Sequence, residues 1–357
     1  MNAKGNLGVT LRRQAEWGLH EGEELVKDAL EYFQKNNFNN THPWVVKFGI
    51  EQTINQAHKL AKEKKFNQAA ELFENILNKK RSSTLQGQVS TSLSAEMMSS
   101  KEEMILIAEG MTSVYYGKGL NHIEKGEYYD ANKALSYCIN ATTPILGKEH
   151  KNVVKLMLLK ADNLLELGDL ETSFELFLDI LHMRTDKYGP DHPRVAEIMI
   201  GLGEYYRIIG SYDESEAFAF QAMHIISEII KIEPETLKKS SSPYTPLYAR
   251  ILITIAYYCI DKGSYEMMIS IAEQLTQLCE NSFEKTDLIY MQYANCKAAI
   301  LVIIGKQNEA VNILQDNLQN QRRKYGDDNI ISAVTVLRLC SVLICQGNLD
   351  NNTEKLL

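Results

Sequence analysis

The sequence lacks the patterns by which most chemical activities can be recognised. Its 357 residues contain no phosphate-binding glycine loop, no G-x-S-x-G, no H-E-x-x-H and no calcium loop, so the commoner catalytic frameworks are missing. Cys138, Cys259, Cys279, Cys296, Cys340 and Cys345 form no C-x-x-C pair and fall inside helical patterns. Small core hydrophobes in a reducing compartment are expected from them, not zinc or redox ligands. Basic residues are in deficit, 38 Lys and Arg against 46 Asp and Glu for a net charge of −8. That balance argues against the basic stripe that nucleic acid or an anionic membrane requires. Apolar runs such as Ile251 to Ile260 reach about ten residues, short of the ~18–20 that cross a bilayer. The opening Met-Asn-Ala-Lys-Gly-Asn-Leu-Gly has no apolar signal-peptide core. The expectation is a non-enzymatic cytoplasmic protein with no cofactor, no metal, no nucleic acid and no membrane insertion.

What the sequence does contain is a repeat. Gly126, Gly168 and Gly210 are 42 residues apart, as are Gly263, Gly305 and Gly347; the one step of 53 carries an 11-residue insertion around Pro234 to Pro243. Before each glycine the apolar residues have helical spacing, as in Val154, Met157, Leu158, Ala161, Leu164 and Leu165. After it a second helix follows, as in Leu170, Phe174, Phe177, Leu178 and Leu181. Small residues sit seven before the glycine (Gly119, Ala161, Gly203, Ala256, Ala298) and five after it (Ala131, Ser173, Ser215, Ala310). Both places are where paired helices approach most closely. Tyr188-Gly-Pro-Asp-His-Pro opens one unit, and Leu146-Gly-Lys-Glu-His, Tyr325-Gly-Asp-Asp-Asn and Thr41-His-Pro open others. These read as helix starts, with a polar cap and proline where no hydrogen bond is lost. His42, His150 and His192 are read as caps of this kind and not as a metal set.

The small/small/aromatic code resembles the tetratricopeptide repeat, and G-x-D-H-P at a 42-residue period is similar to its kinesin-light-chain type. The resemblance implies an all-α solenoid of about seven helix-turn-helix repeats. The divisions expected are residues 1–41, an amphipathic helix from Leu11 to Phe33 that caps or docks; 42–80, a degenerate first repeat with Lys64 at the glycine position; 81–101, a polar Ser-rich loop; and 102–357, six repeats with the last incomplete.

The resemblance also implies a function by protein binding: a scaffold or adaptor subunit of an intracellular assembly of cytoskeletal or ciliary kind. The alternative is a soluble adaptor or receptor that takes up peptides. In such arrays the first helices line a concave groove. Counting back from each glycine assigns Ile200, Glu204, Arg207, Arg250, Ile253, Tyr257, Asn295 and Leu337 to it. Asparagine, usual at the fifth position of such units, is present only as Asn295; Leu158, Ile200, Ile253 and Leu337 replace it. An apolar groove with scattered charge follows, suited to a helix or a neighbouring protein. The incomplete seventh repeat is expected to serve as an end-to-end docking face.

Overall fold

A computed structural model describes residues 19–36, 42–85, 93–232, 244–326 and 329–346. Regular structure among them is all helical. The helices are α1 (Leu19–Lys35), α2 (Pro43–Lys62), α3 (Phe66–Leu85), α4 (Leu93–Glu124), α5 (Tyr128–Leu146), α6 (Lys151–Leu167) and α7 (Leu170–Tyr188). They continue as α8 (Pro193–Ile208), α9 (Tyr212–Ile232), α10 (Tyr244–Lys262), α11 (Tyr265–Ser282), α12 (Leu288–Ile303), α13 (Gln307–Tyr325) and α14 (Ile330–Cys345). Successive helices pair as the glycine spacing predicts, giving an α-solenoid of helix-turn-helix repeats. Residues 1–18, the insertion at 233–243 and the segment from Gly347 onward, where the seventh unit's second helix is expected, lie outside the described residues.

The turns explain the glycines. Gly126, Gly168, Gly210, Gly263 and Gly305 have φ between +73° and +80°, a region that costs any side chain with a Cβ. Lys64 takes the same place between α2 and α3 with φ +58°. The small residues on either side are also explained. Ser173 Oγ donates to the Ala161 carbonyl and Ser215 Oγ to the Gly203 carbonyl, both at 2.8 Å and buried. The residue five after the turn is thus bonded to the residue seven before it.

The chain divides into two compact units, residues 1–120 with 130–159, and residues 121–129 with 160–357. In the first, α1 lays Val26, Ala29, Leu30 and Phe33 against Val45 and Phe48 of α2. Ile54, Phe73, Leu77, Ile107, Met111, Leu135 and Leu156 form its main core. The polar stretch 81–101, expected as a loop, is helical at both described ends, since α3 runs to Leu85 and α4 begins at Leu93. Serine in a helix costs only roughly 0.5 kcal/mol relative to alanine, so this stretch did not have to break the helices.

The second unit is built on Met199, Ile226, Ile255, Tyr258 and Leu275 and, further along, on Leu301, Leu314, Leu339 and Val342. Two asparagine amides tie the turn 121–129 into it. Asn163 Nδ2 donates to the Tyr128 carbonyl at 2.8 Å. Asn329 accepts from Ile331 N at 2.8 Å, capping α14, and its Nδ2 donates to the Lys125 carbonyl at 2.7 Å. Ile330 lies against the same turn; a Cβ on Gly126 would stand 2.1 Å from its Cγ2.

Candidate functional site

In the second unit the first helices α8, α10, α12 and α14 succeed one another, with α6 contributing from Lys160 onward. The eight residues assigned to their shared face separate into three groups. Ile200 is 0% exposed and Ile253 8%, both within the core. Asn295, at 9%, is committed inward, its Oδ1 accepting from Asn317 Nδ2 and from Thr335 Oγ1 of α14, each at 3.1 Å. Leu337 is 61% exposed. Glu204, Arg207, Arg250 and Tyr257 remain on the open face, half-buried. Position five of the sixth unit thus turns toward the next first helix, as the Asn295–Thr335 bond shows, and the face left open is charged where an apolar one was expected.

The charges on that face form a ladder. Arg250 Nη1 and Nη2 lie 3.4 Å from the two carboxylate oxygens of Asp162, and Nη2 is 3.5 Å from Glu204. Arg250 on α10 therefore reaches past α8 to α6. Thr254 Oγ1 donates to Glu204 at 3.1 Å. Three turns along α10 from Arg250, Asp261 pairs with Arg207 of α8 at 3.1 Å. The Tyr257 ring has the Arg207 guanidinium 5.4 Å from its centroid and that of Arg338 5.2 Å away, within cation–π range. Among the described residues no ion pair holds Glu166 or Arg338.

Burial pushes the Asp162 carboxyl up to about 6, outweighing the attraction of Arg250, with Glu204 adding to the rise. Glu166 is raised too, by desolvation first and then by Glu204 and Asp162, against the opposing pull of Arg250 and Arg207. Arg250 is held more firmly protonated, by Asp162 above all. Burial raises the Tyr257 hydroxyl. Asp162 occupies the helix position in its unit that Tyr257 takes in another, but its link to Arg250 carries no sequence signal. Arg338 and Asp261 are not among the residues that counting back from each glycine assigns, so sequence reasoning misses them.

Of the three histidines expected as caps, His42 stands at the N-cap of α2 without a side-chain cap bond, while the other two make one. His192 Nδ1 accepts from Arg194 N at 3.1 Å and His150 Nδ1 from Asn152 N at 3.4 Å, each at the start of its own helix. Burial pushes Cys138, Cys279 and Cys296 up to about 12 and Cys259 to about 11, opposite to the shift that makes a thiolate nucleophile. Cys345, expected in the core, is exposed at the end of α14.

The tetratricopeptide repeat family model matches residues 152–225. No curated protein sequence matches significantly. Among solved structures, NprR in complex with its cognate peptide NprX is similar at 13% identity over 99% of this chain and 86% of that one, with a TM-score of 0.57. BtubC (BKLC) from P. vanneervenii is 14% identical, covering 77% of this chain and 93% of its own, with a TM-score of 0.49. Rap protein complexed with competence and sporulation factor is 12% identical over 97% and 98%, with a TM-score of 0.46. At such identity the likeness to NprR establishes fold and nothing further.

Proposed function

We propose that this tetratricopeptide-repeat chain is a non-catalytic scaffold, a subunit whose first-helix face and last repeat hold other proteins. The observation that carries the reading is the half-buried ladder around Arg250 and Tyr257. It places arginine and tyrosine, side-chain types enriched among binding hot spots, on one open face. The kinesin-light-chain-like spacing of the repeats directs the proposal toward a cytoplasmic assembly of cytoskeletal or axonemal kind. The similarity to NprR, which was solved with its cognate peptide bound, keeps transient peptide uptake as the alternative.

Tagged chain recovered from its native cells tests the interface. Arg250→Ala with Tyr257→Ala should weaken retention of the co-purifying proteins while the melting temperature stays within a few degrees. Full retention of every partner removes this face from the binding surface. Co-localisation with filaments or axonemes separates the cytoskeletal assignment from a diffuse adaptor.

A second reading, docking at the last repeat, has its own support. The residues equivalent to Leu337 in the preceding units, Leu158, Ile200, Ile253 and Asn295, are 5%, 0%, 8% and 9% exposed against 61% for Leu337. Val334 and Ile344 on the same helix are 45% and 50% exposed. This face has the chemistry that a following helix covers elsewhere in the array. If Leu337→Asp alone releases the partner, the end of the array is the docking surface and the ladder is not.

A further inference from the structure

The sixth unit departs from its neighbours at two core positions. Twelve residues after their turn glycines the four preceding units carry Cys138, Ile180, Ala222 and Leu275, all buried. The sixth carries Asn317, 3% exposed. Twelve residues before the glycine those units carry Val114, Leu156, Ile198 and Ile251, again buried, and the sixth carries Tyr293. Polar side chains thus stand where packing is served by apolar ones elsewhere. Both line one cavity of about 140 Å³, formed by α11, α12, α13 and the turn between the first two. Asn317 Nδ2 donates to the Met291 carbonyl at 3.0 Å and to Asn295 Oδ1 at 3.1 Å. Its Oδ1 is buried with no hydrogen-bond partner among the described residues, and an unpaired buried acceptor is costly. Four charged groups line the same cavity. Lys297 Nζ lies 2.9 Å from both Glu280 and the Tyr293 hydroxyl, and Lys285 Nζ 2.7 Å from Asp316. The hydrogen bond from Lys297 holds Glu280 below the usual carboxylate range. An ammonium has three donors, so each lysine keeps at least one N–H for a ligand.

We propose that this cavity binds a free α-amino acid with a small side chain, its carboxylate toward Lys285 and Lys297 and its ammonium toward Asn317 Oδ1 and Glu280. A zwitterion matches walls that are neutral overall but carry both signs of charge. A simple anion would face Glu280 and Asp316 as well as the lysines. The orphaned acceptor points the same way, because it needs a donor that a carboxylate lacks and an ammonium supplies. The volume is that of about four waters at ~30 Å³ each, room for glycine, alanine or serine. None of the lining residues belongs to the ladder, so the site goes beyond the interface reading above and does not depend on it.

Isothermal titration calorimetry with glycine, L-alanine and L-serine tests it, alongside acetate and methylammonium, which carry one charge each. At least one of the amino acids should bind saturably, and about tenfold or more tightly than either single-charge ion. Lys285→Met should weaken that binding about tenfold or more, and so should Asn317→Leu, which gives the position the residue type of Leu275. Lys306→Met removes an exposed, paired lysine at the start of α13; it controls for the loss of one positive charge and should change nothing. Circular dichroism verifies that each variant folds. Where Asn317→Leu disturbs the helices, Lys285→Met decides, since that side chain is exposed. Absence of saturable binding by all three amino acids overturns the proposal. Acetate binding as tightly as they do also overturns it and makes the cavity an anion site. Binding that survives both cavity variants, or falls equally in Lys306→Met, places the ligand elsewhere and overturns it too.

Discussion

Lys64 occupies the turn position that Gly126, Gly168 and their counterparts fill elsewhere, and it holds φ at +58°. A left-handed conformation costs a residue with a Cβ roughly 1–2 kcal/mol, partly offset by the greater freedom glycine has when unfolded. Lys64→Gly should therefore stabilise the chain by about 0.5–1 kcal/mol, read as a higher urea midpoint with unchanged slope; a lower midpoint contradicts the turn geometry. That turn was legible in the sequence because a positive φ restricts residue choice locally. The ladder was not. Asp162 and Arg250 stand 88 positions apart on helices two repeats removed, and their meeting depends on how α6, α8 and α10 pack. Its signature is electrostatic. Asp162 binds its proton near pH 6 when folded but near ~3.9 when unfolded, so its contribution to stability falls as pH rises from about 4 to about 6. Arg250, Glu204 and Glu197 are the charges that act on it. Against Asp162→Asn, the unmodified chain should gain relative stability as pH drops from about 7 to about 4. A difference independent of pH would mean that Asp162 is solvated like a surface carboxylate.

At the scale of the element, the same turn can be compared in two settings. Gly126 and Gly168 have nearly equal φ, +73° and +77°, but a Cβ at Gly168 meets nothing within 4 Å while one at Gly126 meets Ile330. Alanine at either pays the same backbone strain, so the difference between them isolates the contact with α14. Gly126→Ala should cost about 1–3 kcal/mol more than Gly168→Ala, the usual range for overpacking. Equal costs in denaturant titrations would mean that α14 does not rest on this turn. Helix periodicity located the elements, since apolar spacing follows from the 3.6-residue turn alone. It could not say which side of a first helix would be covered. Ile200 and Leu337 occupy equivalent positions, yet one is fully buried and the other 61% exposed.

At the scale of the whole molecule, that contrast becomes measurable. Ile200→Ala removes a fully buried side chain and should cost roughly 2–5 kcal/mol. Leu337→Ala, at 61% exposure, should shift the chain alone by less than about 0.5 kcal/mol. A large loss at Leu337 would show that something already covers α14.

The bond from Asn329 to the Lys125 carbonyl joins residues 204 positions apart. Arrays of this kind ordinarily evolve by duplicating or shedding units, because each repeat feels only its neighbours. Here the Lys125 carbonyl, just past the end of α4, and the amide of the residue that caps α14 are satisfied by each other. One helix pair more or fewer between them would carry the two groups out of reach and leave both unpaired. The stretch from Gly126 to Ile330 is therefore held to a fixed count. Its sequence can drift and its insertion can lengthen, but its number of repeats is no longer a free variable of evolution.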